Sequence, residues 1–264
     1  LVPGRVTRED KLAYTVVGAA QTWRAALAGR LRHTAEQDGV RPAVGDWVAL
    51  LPRPGEDAAS VQAVLPRRSA FTRKTAGAVT AAQVVAANVD WVLLVCGLDG
   101  DFSVRRLERY LTLAWNSGAS PVIVLNKTDV CGELTARLID AETVALGVPV
   151  HAVSALAGDG LDALQRYVAP GQTSVLLGSS GVGKSSLINA LIGSVRQRVN
   201  AVLADDSRGR HTTTHRELIQ LDGGGVIIDT PGMRELQLWS DEEALDGAFG
   251  DIEALAAGCR YRDC

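Results

Sequence analysis

The first 64 residues alternate between short β-like runs and turn residues. The runs occupy residues 13–17, 30–32, 45–50 and 60–64, and Gly and Pro mark turns between them at residues 38–42 and 52–55. Several short strands at this spacing are typical of a small barrel or sandwich. We predict an all-β, OB-like barrel for residues 1–75, and an SH3-like barrel fits the pattern almost as well.

A different pattern begins near residue 89. Runs that are apolar at nearly every position lie at residues 89–95, 121–125, 148–153, 174–177 and 226–228. Segments long enough for helices separate them, at residues 103–115, 133–146 and 161–167. Strands that are apolar on both faces and alternate with helices indicate a parallel sheet covered on both sides. We therefore predict an α/β domain over residues 76–240, followed by a separate segment over residues 241–264.

Composition excludes some classes of protein. The longest near-continuous apolar run has eight residues, 91–98, whereas a membrane span needs about 18, so we expect no membrane protein. Four cysteines in 264 residues form no disulfide framework, which favours a reducing compartment, and we predict a cytoplasmic protein. No secretory signal opens the sequence, and Leu1 in place of Met leads us to expect a trimmed piece.

Charge is distributed unevenly along the chain. Residues 1–75 hold 12 Lys and Arg against 7 Asp and Glu, whereas residues 76–264 hold 15 against 23. A basic segment on an acidic body indicates an anionic partner at the N-terminal part. On charge alone, a chance excess of surface arginine explains the asymmetry equally well.

The strongest motif is a phosphate-binding loop. It reads Gly178-Ser-Ser-Gly-Val-Gly-Lys-Ser185, follows a strand-like run and opens a helical segment, which is the context that the motif requires. Lys184 would bridge β- and γ-phosphate oxygens, and Ser185 would ligate Mg²⁺. Backbone N–H groups of the loop would surround the β-phosphate. The predicted nucleotide contacts in this segment are Gly178, Ser179, Ser180, Gly181, Val182, Gly183, Lys184, Ser185 and Ser186.

A second motif indicates that the base is guanine. The residues Asn126, Lys127, Thr128 and Asp129 follow a buried-type strand. The Asp129 carboxylate can accept both the N1–H and the N2–H of guanine, whereas adenine has no such pair of donors. We expect Asn126 to tie this loop to the phosphate loop, and Lys127 to lie along the plane of the base. Ser154 and Ala155, at another strand end, would offer backbone N–H to guanine O6.

Two further segments have the features of nucleotide-sensing loops. Asp229 ends a strand and begins Asp-Thr-Pro-Gly, so it would hold Mg²⁺ through a water while the Gly232 N–H reaches the γ-phosphate. One threonine of the polar stretch before it would complete the Mg²⁺ shell and sense the γ-phosphate. We favour Thr213, but Thr212 fits nearly as well.

All five parts of a GTPase site are present in an unusual order. Base recognition comes first, phosphate recognition second and the sensing loops last, whereas ordinary small GTPases run the other way. Because the site is built from strand ends on one sheet, a circular permutation can leave every strand in place. The sequence therefore predicts a circularly permuted P-loop GTPase domain.

The chain resembles the circularly permuted ribosome small-subunit-dependent GTPase A (RsgA/YjeQ) family along nearly its whole length. The matching segments are Val44-Gly-Asp-Trp-Val48, Arg67-Arg-Ser69, Arg73-Lys74, Gln83-Val-Val-Ala-Ala-Asn-Val-Asp90, residues 126–129, 178–186, Gly209-Arg-His-Thr-Thr-Thr214 and 229–232. The resemblance implies an N-terminal OB fold, a permuted GTPase domain and a C-terminal zinc-binding domain. It also implies a role in late maturation and rRNA-dependent assembly of the small ribosomal subunit, with GTP hydrolysis stimulated by that subunit.

The C-terminal residues depart from the family pattern. Cys259 and Cys264 match the first two zinc ligands, but the His and Cys expected after them are absent from the sequence. Because a structural zinc ion needs four protein ligands, we expect an incomplete zinc site in this chain.

The residue that positions the attacking water is not obvious. Met233 stands where some GTPases have a glutamine, and a thioether cannot orient water. We expect slow intrinsic hydrolysis, with His211 as the candidate within this chain and the partner as the alternative source. Lys184 and Thr213 complete the predicted catalytic set.

Two other functions compete with the GTPase hypothesis. A metabolic P-loop ATPase or kinase is disfavoured by Asp129, and an RNA-binding module with a merely structural nucleotide site is disfavoured by the Mg²⁺ set of Ser185, Thr213 and Asp229. We expect a monomer without membrane association. The barrel, with Arg208 and Arg210, is the candidate for contacts with rRNA phosphates.

Overall fold

The computed structural model describes residues 1–10, 13–38, 41–74, 82–100, 102–193, 216–221 and 223–229. Within these ranges the chain forms a small β-barrel, a hairpin and an α/β sheet, in that order along the sequence. No helix in these ranges combines the length and the apolar character that crossing a bilayer requires.

The N-terminal barrel has five strands and one helix. The elements are β1 (Val2–Glu9), β2 (Tyr14–Val17), β3 (Thr22–Leu27), α1 (Gly29–Asp38), β4 (Trp47–Pro52) and β5 (Ala58–Val64). Hydrogen bonding closes the ring in the order β1-β2-β3-β5-β4 and back to β1, with β3 and β5 parallel and the other pairs antiparallel. Alternate residues such as Val6, Val16 and Leu50 fill its interior. This topology confirms the predicted OB-like barrel over the SH3-like alternative.

The β-like interpretation of residues 30–32 was wrong, because they lie in helix α1. An alternation over three residues is too short to distinguish a strand, whose pattern repeats every 2 residues, from a helix, whose pattern repeats every 3.6. The longer pattern is helical, since Leu31 and Ala35 are four residues apart, and Leu31 packs against the barrel core while Ala35 is buried. The Thr34 hydroxyl also donates to the Arg30 carbonyl one turn earlier, at 3.2 Å.

A hairpin that the sequence analysis did not predict follows the barrel. It consists of β6 (Ala70–Lys74) and β7 (Ala82–Ala87), paired antiparallel. Phe71 and Val85 from this hairpin pack with Val44 of the barrel and with residues of the α/β sheet. The hairpin therefore contributes to one hydrophobic core shared by both domains.

Within the residues that the structure describes, the α/β part is built on six strands. They are β8 (Trp91–Gly97), β9 (Ser120–Asn126), β10 (Val150–Val153), β11 (Thr173–Leu177), β12 (Glu217–Gln220) and β13 (Val226–Asp229), with helices α2 (Val104–Asn116), α3 (Leu134–Ala145) and α4 (Lys184–Ile192) and short 3₁₀ helices at Thr128–Val130 and Leu161–Val168. The order is β10-β9-β8-β11-β13-β12, parallel except for β12. Separate apolar clusters cover the two faces, as predicted. The helix predicted over residues 161–167 is a 3₁₀ helix.

A partly buried polar contact joins the barrel to the α/β sheet. The Arg5 guanidinium donates to the Gly45 carbonyl at 3.3 Å, the Asn88 carbonyl at 3.2 Å and the Thr173 hydroxyl at 2.9 Å. The Asn88 side chain donates to the Gly45 carbonyl at 3.1 Å and accepts the Arg68 N–H at 3.0 Å. We call Arg5, Gly45, Asn88 and Thr173 the domain junction. A β1–β12 pairing, Arg8 opposite Glu217, continues the sheet across the same boundary.

Candidate nucleotide-binding site

The predicted base and phosphate loops lie at one edge of the parallel sheet. Gly97 of β8 and Val153 of β10 both stand in register with Asn126, the last residue of β9. β11, which leads into the phosphate loop, pairs with the other side of β8. Because parallel strands end at the same edge, the loops after these four strands come together there, where ligands bind in open α/β sheets.

Asn126 joins three of these loops. Its side chain is 2% exposed. The amide nitrogen donates to the Val182 carbonyl of the phosphate loop at 2.8 Å, and the amide oxygen accepts the Ala155 N–H at 3.0 Å. The predicted tie between Asn126 and the phosphate loop is therefore confirmed, and the Ser154-Ala155 loop is held by the same side chain.

Two glycines let the backbone of the phosphate loop lie close to Asn126 and to strand β8. A Cβ at Gly183 would collide with the amide nitrogen of Asn126, and one at Gly178 would collide with the Val95 carbonyl of β8. Gly183 also has a φ of +95°, in the region that side chains disfavour. The loop therefore fits against β8 and Asn126 only with glycine at these two positions.

Lys184 is directed into the phosphate loop. Its ammonium donates to the carbonyls of Gly178 and Ser179, each at 2.6 Å. Ser185 and Ser186 follow in the first turn of α4, whose N-terminal N–H groups have no carbonyl partners within the helix. The loop places a cation and helix N–H groups around one space, an arrangement that suits phosphate.

A hydrogen bond from the Ser154 loop fixes the base loop. Thr128 and Asp129 belong to the 3₁₀ helix after β9, and the Asp129 carboxylate accepts the Ser154 hydroxyl at 2.6 Å. Ser154 is fully buried and its oxygen also accepts the Ala157 N–H at 3.0 Å. The contact predicted for Ser154 was through its backbone only, whereas its hydroxyl fixes the orientation of Asp129.

The Ala155 N–H has a partner within the protein. It donates to the Asn126 side chain in this structure, whereas the sequence analysis directs it to guanine O6. A contact with O6 would therefore have to share this hydrogen with Asn126 in a three-centre bond. The contact itself stays a prediction.

The residues predicted to hold Mg²⁺ are placed in part. Asp229 is the last residue of β13, which pairs with β11, the strand before the phosphate loop. Ser185 lies in the first turn of α4 after that loop, so an alcohol and a carboxylate are placed at the ends of adjacent strands on the same edge. Such hard oxygen donors fit Mg²⁺. His211, Thr212, Thr213, Gly232, Cys259 and Cys264 lie outside the described residues.

Comparisons with known proteins match this architecture. The family model described as RsgA GTPase matches residues 64–239. The small ribosomal subunit biogenesis GTPase RsgA of Syntrophotalea carbinolica is 48% identical over 272 residues, covering 100% of this chain and 74% of the relative. The protein of the same name from Opitutus terrae is 47% identical over 272 residues, with the same coverage of 100% and 74%.

Solved structures agree with these relatives. The crystal structure of YjeQ from Thermotoga maritima has a TM-score of 0.72 and 28% identity, covering 100% of this chain and 86% of that one. YloQ, described as a circularly permuted GTPase, has a TM-score of 0.67 at 23% identity, covering 100% and 83%, and supports the fold alone. With the permuted order of its loops and a family match over most of its length, the chain belongs to the RsgA GTPase family.

Proposed function

We propose that this chain binds guanine nucleotides, hydrolyses GTP to GDP and phosphate, and acts in the biogenesis of the small ribosomal subunit. The observation that carries the proposal is the bonding of Asn126, which brings the base loop, the Ser154-Ala155 loop and the phosphate loop to one place. Membership of the RsgA GTPase family supports the same function.

Base selection is assigned to Asp129. The Ser154 hydroxyl holds one oxygen of this carboxylate, and the carboxylate would accept the N1–H and N2–H of guanine. Asp129→Asn replaces an acceptor by an amide that can donate to the 2-oxo group of xanthine. We expect this variant to lose about 100-fold or more in affinity for GTP and to gain affinity for XTP.

Phosphate binding is assigned to residues 178–186, with Lys184 supplying the charge. Ser185, Thr213 and Asp229 would hold Mg²⁺, with Thr212 as the alternative to Thr213. When bound, Mg²⁺ neutralises charge on the β- and γ-phosphate oxygens. Lys184 lies among loop carbonyls at 2.6 Å and would exchange them for phosphate oxygens. The Gly232 N–H would contact the γ-phosphate.

Water positioning is assigned to His211, because Met233 cannot orient a nucleophile. We expect His211→Ala to lower the subunit-stimulated kcat while the affinity for GDP stays unchanged. A stimulated turnover equal to that of the wild type would contradict this assignment and leave the small subunit as the source of the catalytic group.

The partner is the small ribosomal subunit, with rRNA phosphates contacted by the basic barrel and by Arg208 and Arg210. We also propose a monomer in the cytoplasm and a division of the chain into residues 1–75, 76–240 and 241–264. Cys259 and Cys264 would supply two zinc ligands of a site that needs further ligands. Binding to the subunit should weaken steeply with salt, and binding that ignores salt would contradict the phosphate contacts.

The deciding experiment is phosphate release from GTP and from ATP, each with and without purified small subunits. We expect hydrolysis of GTP alone, stimulated by subunits. Turnover of GTP that ignores the subunits would contradict the proposed partner, and turnover of ATP would contradict the role of Asp129. Lys184→Ala is the matched inactive variant.

A further inference from the structure

An ion pair beside the base loop joins Lys127 of that loop to Asp99, a residue that belongs to none of the predicted motifs. The Lys127 ammonium pairs with the carboxylate of Asp99, which follows strand β8. The Leu98 N–H donates to the Asn126 carbonyl at 2.9 Å, so the segment that carries Asp99 is also held to the base loop by its backbone.

The backbone of Lys127 is fixed on both sides. Asn126 before it is buried and bonded to two other loops, and Asp129 after it accepts the Ser154 hydroxyl. Lys127 itself has a φ of +70°, a left-handed conformation that sets the direction of its Cβ. The remaining freedom lies in its four-carbon stem, and the contact with Asp99 restricts that stem.

Gly97 provides room for the Asp99 carboxylate. A Cβ at Gly97 would lie 2.7 Å from Asp99 Oδ1 and 3.4 Å from the Val182 Cα of the phosphate loop. One carboxylate oxygen therefore rests against the strand end beside the phosphate loop while the other faces Lys127. The hydrogen bond from Lys127 is the main reason that the pKa of Asp99 lies below its usual value.

We propose that Asp99 is a positioning residue for guanine-nucleotide binding, which holds the stem of Lys127 extended beside the base site before the nucleotide arrives. The inference rests on the proposed guanine-nucleotide site. Ordering a lysine stem in advance removes part of the entropy that binding would otherwise cost. The nucleotide then binds more tightly and dissociates more slowly. Because Lys127 would contact the base, the effect should be equal for GDP and GTP and should leave kcat unchanged.

The test is the affinity and dissociation rate of fluorescent GDP, with KM and kcat for GTP, measured on the full chain. We expect Asp99→Asn to weaken the binding of both nucleotides by about 3- to 10-fold, through faster dissociation and a higher KM at constant kcat. Asp99→Glu should retain most of the affinity. Asp140→Asn is the matched control, because that carboxylate is 44% exposed against 39% for Asp99 and pairs with Arg137 on α3.

A double-mutant cycle separates an effect of Asp99 through Lys127 from a direct effect of the negative charge of Asp99 on the nucleotide. In a Lys127→Ala background, Asp99→Asn should cause no further loss of affinity. Asp99→Ser serves as a second variant should Asp99→Asn fold poorly. Wild-type affinity in Asp99→Asn would overturn the inference, and so would tighter binding, because Asp99 would then compete with the nucleotide for Lys127. A wild-type chain that binds neither GDP nor GTP would overturn the proposed function, and the inference with it.

Discussion

Two buried asparagines join distant segments of the chain, one at the nucleotide loops and one at the domain junction. Asn126 and Asn88 are each 2% exposed. Each side chain donates to a backbone carbonyl of one segment and accepts a backbone N–H from another. A primary amide suits both positions, because it carries a donor and an acceptor side by side.

The two asparagines differ in what they join. The partners of Asn126 are loops at the edge of the sheet where a ligand is expected, whereas those of Asn88 are the barrel and the segment that leaves it. The same bonding pattern joins loops at the proposed nucleotide site in one place and joins the barrel to the segment that leaves it in the other. Measurements of stability alone would not separate them, but nucleotide affinity would.

The largest effect is expected at Gly45 of the domain junction. Gly45 has a φ of +94°, and a Cβ there would collide with the Ala87 carbonyl, which is backbone and cannot rotate away. We expect Gly45→Ala to lower the free energy of unfolding by about 4 kcal/mol or more. Gly55→Ala is the matched control, because Gly55 has a φ of +77° with nothing within 4 Å of its Cβ. It should cost only about 1 kcal/mol, and equal losses in urea unfolding would contradict the proposed collision.

Asn126→Ala should affect both stability and binding. The variant leaves the Val182 carbonyl and the Ala155 N–H without their partner, which should cost about 2 kcal/mol of stability. Because the loops lose their common attachment, we expect GDP affinity to fall by about 30-fold or more. Equilibrium titration with GDP and urea unfolding measure the two losses. Unchanged affinity would contradict the role given to this side chain.

Asn88→Ala should affect stability alone. It removes the bonds to Gly45 and Arg68 and places alanine at a φ of +54°, where asparagine is better tolerated. We expect a loss of about 2 kcal/mol in urea unfolding, with GDP affinity within about 2-fold of the wild type. A 10-fold loss of affinity would mean that the two regions are coupled, and the distinction between them would fail.

The two asparagines also differ in whether the sequence alone could reveal their roles. Asn126 was predictable, because Asn-Lys-x-Asp beside a phosphate loop identifies a chemistry and a strand end. Asn88 appeared only within a segment shared with the family, since its partner Gly45 lies 43 residues away and no spacing rule connects them.

Side-chain pairs between loops were missed for the same reason. The bond from Ser154 to Asp129 spans 25 residues and that from Lys127 to Asp99 spans 28. The parallel strands of the sheet and the presence of a small barrel were predictable, because hydrophobic periodicity is a local signal. Strands β1 and β3 and the hairpin of β6 and β7 were not predicted. Contacts between loops depend on the packed fold, so they became visible only in the structure.

The smallest effect concerns pH and the strand that leads to Ser154. His151 in β10 contacts the Tyr167 hydroxyl, with 2.8 Å from Nε2 to the oxygen, and burial lowers the pKa of this imidazole. The unfolded chain therefore takes up a proton at higher pH than the folded chain does. Stability is fully present above about pH 6.5 and falls as the pH drops from there through the lower folded pKa. When the pH is lowered from 7.5 to 5.5, we expect the melting temperature of His151→Gln to fall by less than that of the wild type. The side chain of Asn88 bonds to Gly45 and Arg68 instead, so Asn88→Ala should keep the wild-type pH dependence. An equal slope in all three proteins would show that another group titrates.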